Sequence, residues 1–244
     1  FEIQFTIGNS KYRYGFDYTP ETIVAEWLYE KRVGEREFEL FLRSGDEYRI
    51  SKTRFAEGLG KQSVTPANRL FVSLVAQLNG TVSQLILDWF SNIEYMSGMD
   101  DKDYAGKTLK MIMYRQEGDE AVVRFFEQTN LGFNGIEVNA RLDDKHSLDS
   151  KTIHNIFNEE GTVVGQRGFP TESMESEGTK KMIEIAGPIF DVIIKGKILI
   201  VDELDAKLHQ FLTRKIISLF MDKNTNPKGD QLIFATHDNN LLNL

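Results

Sequence analysis

The sequence predicts an α/β fold in which an N-terminal antiparallel β-meander leads through a helical insertion to a C-terminal lobe built on a parallel sheet. Three observations predict it. Apolar and polar residues alternate in short blocks over the first 50 residues; apolar residues then recur at helical spacing; and from Met174 onward helical runs alternate with two short apolar runs that each end in ionisable residues.

The meander comes first. Phe1, Ile3, Phe5 and Ile7 alternate, as do Tyr12, Tyr14 and Phe16, with a turn signal at Gly8, Asn9 and Ser10 between them. Residues 22–31 and 37–43 pair across a turn at Val33 and Gly34, and Gly45 with Asp46 opens a further hairpin, giving four or five strands. Trp27 and Tyr29 read as core or cross-strand partners rather than ligand contacts.

The spacing then changes. Leu70, Phe71, Leu74, Val75 and Leu78, followed by Val82, Leu85, Ile86, Trp89 and Phe90, predict two helices on either side of Asn79 and Gly80, extending to about Met96. Further helices are expected over 104–114 and 120–128, and a strand over 133–141. Turns follow at Asp143, Asp144 and Lys145, and at residues 158–161 inside a hairpin. The chain thus divides into a meander (1–50), a helical subdomain (51–130) and a C-terminal lobe (131–244), all parts of one composite domain.

Bulk composition excludes several classes. With 41% hydrophobic and 27% charged residues in 244, the chain is an ordinary globular one. It has no cysteine, so disulfides and thiolate metal sites are excluded, and its four histidines do not cluster. No apolar run approaches the roughly 20 residues of a membrane span and no charged-then-apolar segment resembles a signal peptide, so a cytoplasmic protein without membrane contact is expected. A net charge of −8 argues against binding nucleic acid by bulk electrostatics. It leaves room for a local basic surface from Lys180, Lys181, Lys195, Lys197 and Lys207, although scattered lysines more often serve solubility.

The chemistry gathers in the last third. Ile198, Leu199, Ile200 and Val201 form an apolar run that ends in two adjacent acids, Asp202 and Glu203. A buried parallel strand would deliver both carboxylates to its C-terminal edge, where open α/β sheets bind ligands. Nucleotide hydrolysis needs one carboxylate to hold Mg²⁺, usually through water, and one to polarise the attacking water. Asp202 takes the first role and Glu203 the second. Alone the pattern is weak, because many strands end in a solvated acidic turn, but its neighbours strengthen it. A second apolar run, residues 231–235, closes on Thr236, His237 and Asp238, and a histidine so placed can hydrogen-bond a γ-phosphate. Upstream, Glu175, Ser176, Glu177 and Gly178 precede a helix over 182–190, where Ser176 can cap the helix while free amides face an anion.

In this order the motifs resemble an ABC-type ATPase: a signature loop, a Walker B strand with its glutamate, an aspartate-bearing loop at residues 204–209 and a switch histidine. More narrowly, ESEGTKK, ILIVDELDAKLH and FATHD resemble the SMC/RecF-like, AAA-family bacterial ATPases of abortive-infection, retron and related anti-phage systems, as does the opening FEIQFTIGNSKYRYGFDY. The resemblance implies an ABC-ATPase head-like P-loop NTPase fold whose C-terminal lobe carries Walker B, with ATP and Mg²⁺ as cofactors. It implies Asp202 for Mg²⁺, Glu203 for water activation, His237 for the γ-phosphate and Asp205 for communication across a dimer. Ser176 and Gly178 would contact nucleotide held by the other subunit, so a homodimer or higher oligomer is implied, with hydrolysis coupled to its closure.

One part of the pattern is missing: no G-x-x-x-x-G-K-[ST] segment occurs. Gly106, Lys107 and Thr108 have the right last letters, but Asp101 holds the first glycine position and no apolar strand leads in, which leaves Lys107 a surface residue. In Gly58, Leu59, Gly60 and Lys61, Gln62 replaces the Mg²⁺-binding hydroxyl and Phe55 stands where the tight turn needs glycine, leaving a mobile loop. No Q-loop glutamine is identifiable, and Gln4 reads as an exposed strand residue. The family places its P-loop before the meander, so a chain truncated at both ends is the expectation rather than a degenerate site. Three functions stay open: an ATPase that controls an effector such as a nuclease or toxin in anti-phage defence, a DNA-repair-type ATPase that clamps DNA, and a non-catalytic scaffold. The intact Glu203 speaks against the last.

Overall fold

The computed structural model describes residues 1–98, 104–129, 131–140 and 148–243. Asp101, the Arg141 end of the expected strand and the turn expected at Asp143, Asp144 and Lys145 lie outside those residues. The chain forms two units, Phe1–Ser91 and Asn92–Leu244, each with its own apolar core. No helix among the described residues is long and apolar enough to cross a membrane.

In the first unit, β1 (Glu2–Ile7), β2 (Ser10–Tyr18), β3 (Ile23–Arg32), β4 (Phe38–Ser44) and β5 (Glu47–Ile50) make one antiparallel sheet in sequence order. Gly8, at φ +56°, and Gly45, at φ +57°, supply the left-handed turn residues that two-residue hairpins require. Trp27 stands opposite Gly15 as a half-buried cross-strand partner. Two helices follow, α1 (Phe71–Gln77) and α2 (Thr81–Ser91). They pack Phe71, Val75 and Ile86 against Phe5, Leu28 and Phe41, and Trp89 stacks on Phe5 with ring centroids 3.9 Å apart.

Both helices are capped by glutamates from elsewhere in the unit, which satisfies the free amides of a helix start. Glu26, fully buried on β3, accepts from the amides of Phe71 at 2.5 Å and Val72 at 3.0 Å. Burial pushes its carboxyl up in spite of those bonds. Glu57 accepts from the amides of Val82 and Ser83 and from two hydroxyls. There burial is outweighed and the carboxyl is held below its ordinary value. The Gly58–Lys61 stretch, expected to be a mobile loop, links two 3-10 turns, Ala56–Gly58 and Gln62–Val64, and Lys61 donates to the Leu78 carbonyl at the end of α1.

The second unit opens with a correction. Residues 93–97, taken for the tail of a helix, form a strand, β6 (Ile93–Ser97). Five residues are too few for periodicity to separate strand from helix, and long-range pairing decides. Next come α3 (Tyr104–Met113), α4 (Asp119–Thr129), β7 (Gly135–Ala140), β8 (Leu148–Phe157), β9 (Val163–Pro170) and the short α5 (Thr171–Met174). The long α6 (Glu177–Lys195), β10 (Ile198–Asp202), α7 (Gln210–Met221) and β11 (Gln231–Phe234) complete it. β6, β10 and β11 form a parallel sheet in the order β11-β10-β6, and β7, β8 and β9 form a separate antiparallel one. Leu199 and Val201 point into the core with Met182, Ile189, Phe126 and Ile216.

The α6 helix passes through Pro188, which has no amide to give the Glu184 carbonyl. The buried Thr108 of α3 makes up the loss. Its hydroxyl donates to the Glu184 carbonyl at 3.2 Å and accepts from the Gly187 amide at 2.8 Å. Gly187 must be glycine for this crossing, since a Cβ there would lie 2.6 Å from the Thr108 backbone. Gly196, at φ +75°, ends the helix in the left-handed conformation usual for a glycine stop.

Candidate functional site

Alternation along β10 sends Leu199 and Val201 inward and leaves Asp202 exposed at the C-terminal edge of the parallel sheet, opposite Ser97 of β6. The next residue, Glu203, turns the chain at φ +55°, a left-handed conformation that costs a non-glycine residue about 1–3 kcal/mol. Backbone bonds on both sides enforce it. The Gly98 amide donates to the Asp202 carbonyl at 2.7 Å, the Leu204 amide to Ala235 at 3.0 Å and the Ala206 amide to Glu203 at 3.0 Å. Gly98 is as important as the acids, since a Cβ there would collide with the Glu203 carbonyl oxygen. Sequence reading missed Gly98 because the strand that carries it was taken for helix. The available signal is a glycine that closes the short segment Ile93–Ser97.

The turn brings the Glu203 carboxylate to His237, with Oε1 3.6 Å from Nε2, the glutamate 36% and the histidine 84% exposed. Asp205 fastens the two strand ends together, its Oδ1 accepting from the His237 amide at 3.2 Å. Burial pushes the Asp205 carboxyl up. Hydrogen bonds from the Thr236 hydroxyl and from the amides of Asp205 and His237, with the charge of His237, outweigh that and hold it below its ordinary value. Asp202, Glu203, Asp205 and His237 thus share one edge, with Asp205 bound to the histidine segment of its own chain.

Ser176 caps α6. Its Oγ accepts from the Thr179 amide at 3.1 Å, and the residue is exposed. Gly178, the second residue of α6, faces the loop that follows Glu203: a Cβ on it would stand 3.5 Å from the Lys207 carbonyl. The start of α6 and the 203–209 loop therefore form one continuous surface. Lys207 itself adopts φ +59°.

The expected basic surface is largely neutralised. Lys180 pairs with Glu177 at 3.0 Å, Lys181 with Glu184 at 3.0 Å, Lys195 with Asp191 at 2.5 Å and Lys197 with Glu94 at 2.6 Å. Both P-loop decoys have other work as well. Lys107 pairs with Asp191 at 3.0 Å and Thr108 is buried against α6, while Lys61 serves the end of α1. Among the described residues no three His, Cys, Asp or Glu side chains converge on a point that could hold a metal ion.

The family described as "AAA domain, putative AbiEii toxin, Type IV TA system" matches residues 1–243. No curated protein matches the chain. Among solved structures, the chain is similar to an SMC head domain from Thermotoga maritima at 15% identity and a TM-score of 0.35, covering 97% of this chain and 67% of that one. It is also similar to the recombination mediator protein RecF with bound ATPrS, at 10% identity and a TM-score of 0.24, covering 95% of this chain and 76% of that one.

Proposed function

The chain belongs to this AAA-domain family, and on that premise we propose that it binds and hydrolyses ATP at a site completed by a second copy of itself, using the closure to control an effector in anti-phage defence. The observation that carries the reading is the Glu203 carboxylate, held by a left-handed turn 3.6 Å from His237 at the end of a parallel strand. A scaffold has no need of that strain.

Each side chain has a part. Asp202, exposed at the strand end, would hold the Mg²⁺ of MgATP through water. Glu203 would orient and polarise the attacking water, and His237, mostly exposed, is free to meet the γ-phosphate. Asp205 keeps the histidine segment in register with Glu203 through its bond to the His237 amide. Ser176 and Gly178 point a helix start, with its free amides, at the phosphates of nucleotide on the other copy. The approach of Gly178 to the Lys207 carbonyl supports this, because it sets the signature loop beside the loop that carries Asp205. The family description names a toxin and a toxin–antitoxin system, which supports an effector partner. The ion-paired lysines weigh against a DNA clamp.

The test is Glu203→Gln in the whole gene product. Turnover should fall by roughly 10²–10⁴-fold, the usual share of a positioned general base, while ATP binding persists. Unchanged hydrolysis would sink the assignment.

A further inference from the structure

The residue before the signature serine is a glutamate with almost no access to water. Glu175 closes α5, directly precedes Ser176, and its side chain is 8% exposed. A buried carboxylate needs partners, and both come from β8. The Thr152 hydroxyl donates to Glu175 Oε1. His154 Nε2 donates to the same oxygen at 2.8 Å. The imidazole is fixed in turn by Phe169, edge to face at 5.3 Å, and by Phe133 at 6.4 Å. Ser150, also on β8, donates to the Thr171 hydroxyl at 2.9 Å at the start of α5. Ser150, Thr152 and His154 lie two residues apart and so project from one face of the strand. That face is devoted to holding residues 171–175.

The electrostatics give the arrangement a purpose. Ser176 and the first turn of α6 present free amides, which favour an anion; the one carboxylate in that turn, Glu177, is paired with Lys180 at 3.0 Å, and a second, unpaired one beside them would compete for that position and repel phosphate. Thr152 and His154 draw the Glu175 charge back into the protein, away from the face that Ser176 exposes. We infer that Thr152 and His154 of β8 are positioning residues for the signature loop: they hold Glu175 out of the phosphate-binding face, so that the β7–β9 sheet sets whether Ser176 can serve nucleotide. This rests on the ATPase reading proposed for the chain.

The whole gene product tests it through His154→Phe, which keeps a ring between Phe133 and Phe169 and removes the donor to Glu175. Turnover should fall on the order of tenfold, the value of one hydrogen bond to a charged group, with KM for ATP raised. Adding Glu175→Gln to His154→Phe should restore most of the activity, because a neutral side chain released from β8 no longer repels phosphate. A merely structural role would make the double variant no better than the single. Should His154→Phe fail to fold, Thr152→Val carries the same test with the same rescue. Parental turnover in the single variant, or no rescue in the double, overturns the inference while a dead Glu203→Gln leaves the ATPase reading standing. Full turnover in Glu203→Gln overturns that reading, and this inference with it.

Discussion

Glu203 keeps its carboxylate at the sheet edge through a backbone that a glutamate seldom adopts, and the room for it comes from a residue more than a hundred positions earlier in the chain. A Cβ on Gly98 would collide with the Glu203 carbonyl oxygen, which is backbone and cannot rotate aside as a side chain would. Gly98→Ala should therefore push the Glu203 turn outward and lengthen the 3.6 Å approach to His237. Misplacing a catalytic group by about 1 Å costs roughly 10²-fold in rate. The expected outcome is a fall of that order in phosphate release with ATP affinity nearly unchanged. A variant that hydrolyses ATP at the parental rate would show that the turn tolerates the shift. The placement of Asp202, Glu203 and His237 at one sheet edge is legible in the sequence because each follows a run of apolar residues, a pattern contained in a few neighbouring letters. The surroundings of Gly98, Thr152 and His154 are not, because their contacts with Glu203 and Glu175 are long-range.

At the level of elements, the same distinction separates what periodicity fixes from what packing decides. The helix over 182–190 could be read straight through Pro188, since its apolar spacing never breaks. Why the proline is tolerated could not be read. Gly106, Lys107 and Thr108 look like the end of a phosphate loop, yet Thr108 answers the two backbone groups that Pro188 and the tight crossing at Gly187 leave over. Thr108→Val removes both bonds and places a methyl group 2.8 Å from the Gly187 amide, where the hydroxyl now accepts. Each unsatisfied buried backbone group costs about 1–3 kcal/mol. A loss of stability of about 2 kcal/mol or more is expected in urea unfolding, with Thr108→Ser, which keeps the hydroxyl, close to the parent. Equal midpoints for Thr108→Val and the parent would mean that α6 accommodates Pro188 without help from α3. β6 is the opposite case: its five residues carry no decisive period, and only pairing with β10 makes them a strand.

For the whole molecule, the order of motifs along the chain made the fold class legible, while the oligomeric consequence is physical. Each copy carries a net charge of −8, so two copies repel at long range and associate only where local contacts win. ATP is proposed as the bridge, gripped through Asp202 and His237 of one copy and the Ser176 loop of the other. Slowing hydrolysis should keep that bridge in place, so Glu203→Gln with MgATP should run at twice the monomer mass in light scattering. Gly178→Asp added to it should restore the monomer. A Cβ at 178 meets its own chain only at ordinary contact distance, 3.5 Å from the Lys207 carbonyl, and an acid suits the first turn of a helix, so the new carboxylate should act on the partner's phosphates rather than on the fold. Salt separates this from a nucleic-acid clamp. Screening of like-charged copies, over a Debye length of about 10 Å at 0.1 M, should favour the dimer as salt rises from low values. Contacts to phosphodiester backbone would weaken steeply over the same range. A Glu203→Gln chain that stays monomeric with MgATP at both salt concentrations would contradict a shared site, and association that appears only with DNA and vanishes with salt would turn the molecule back into a clamp.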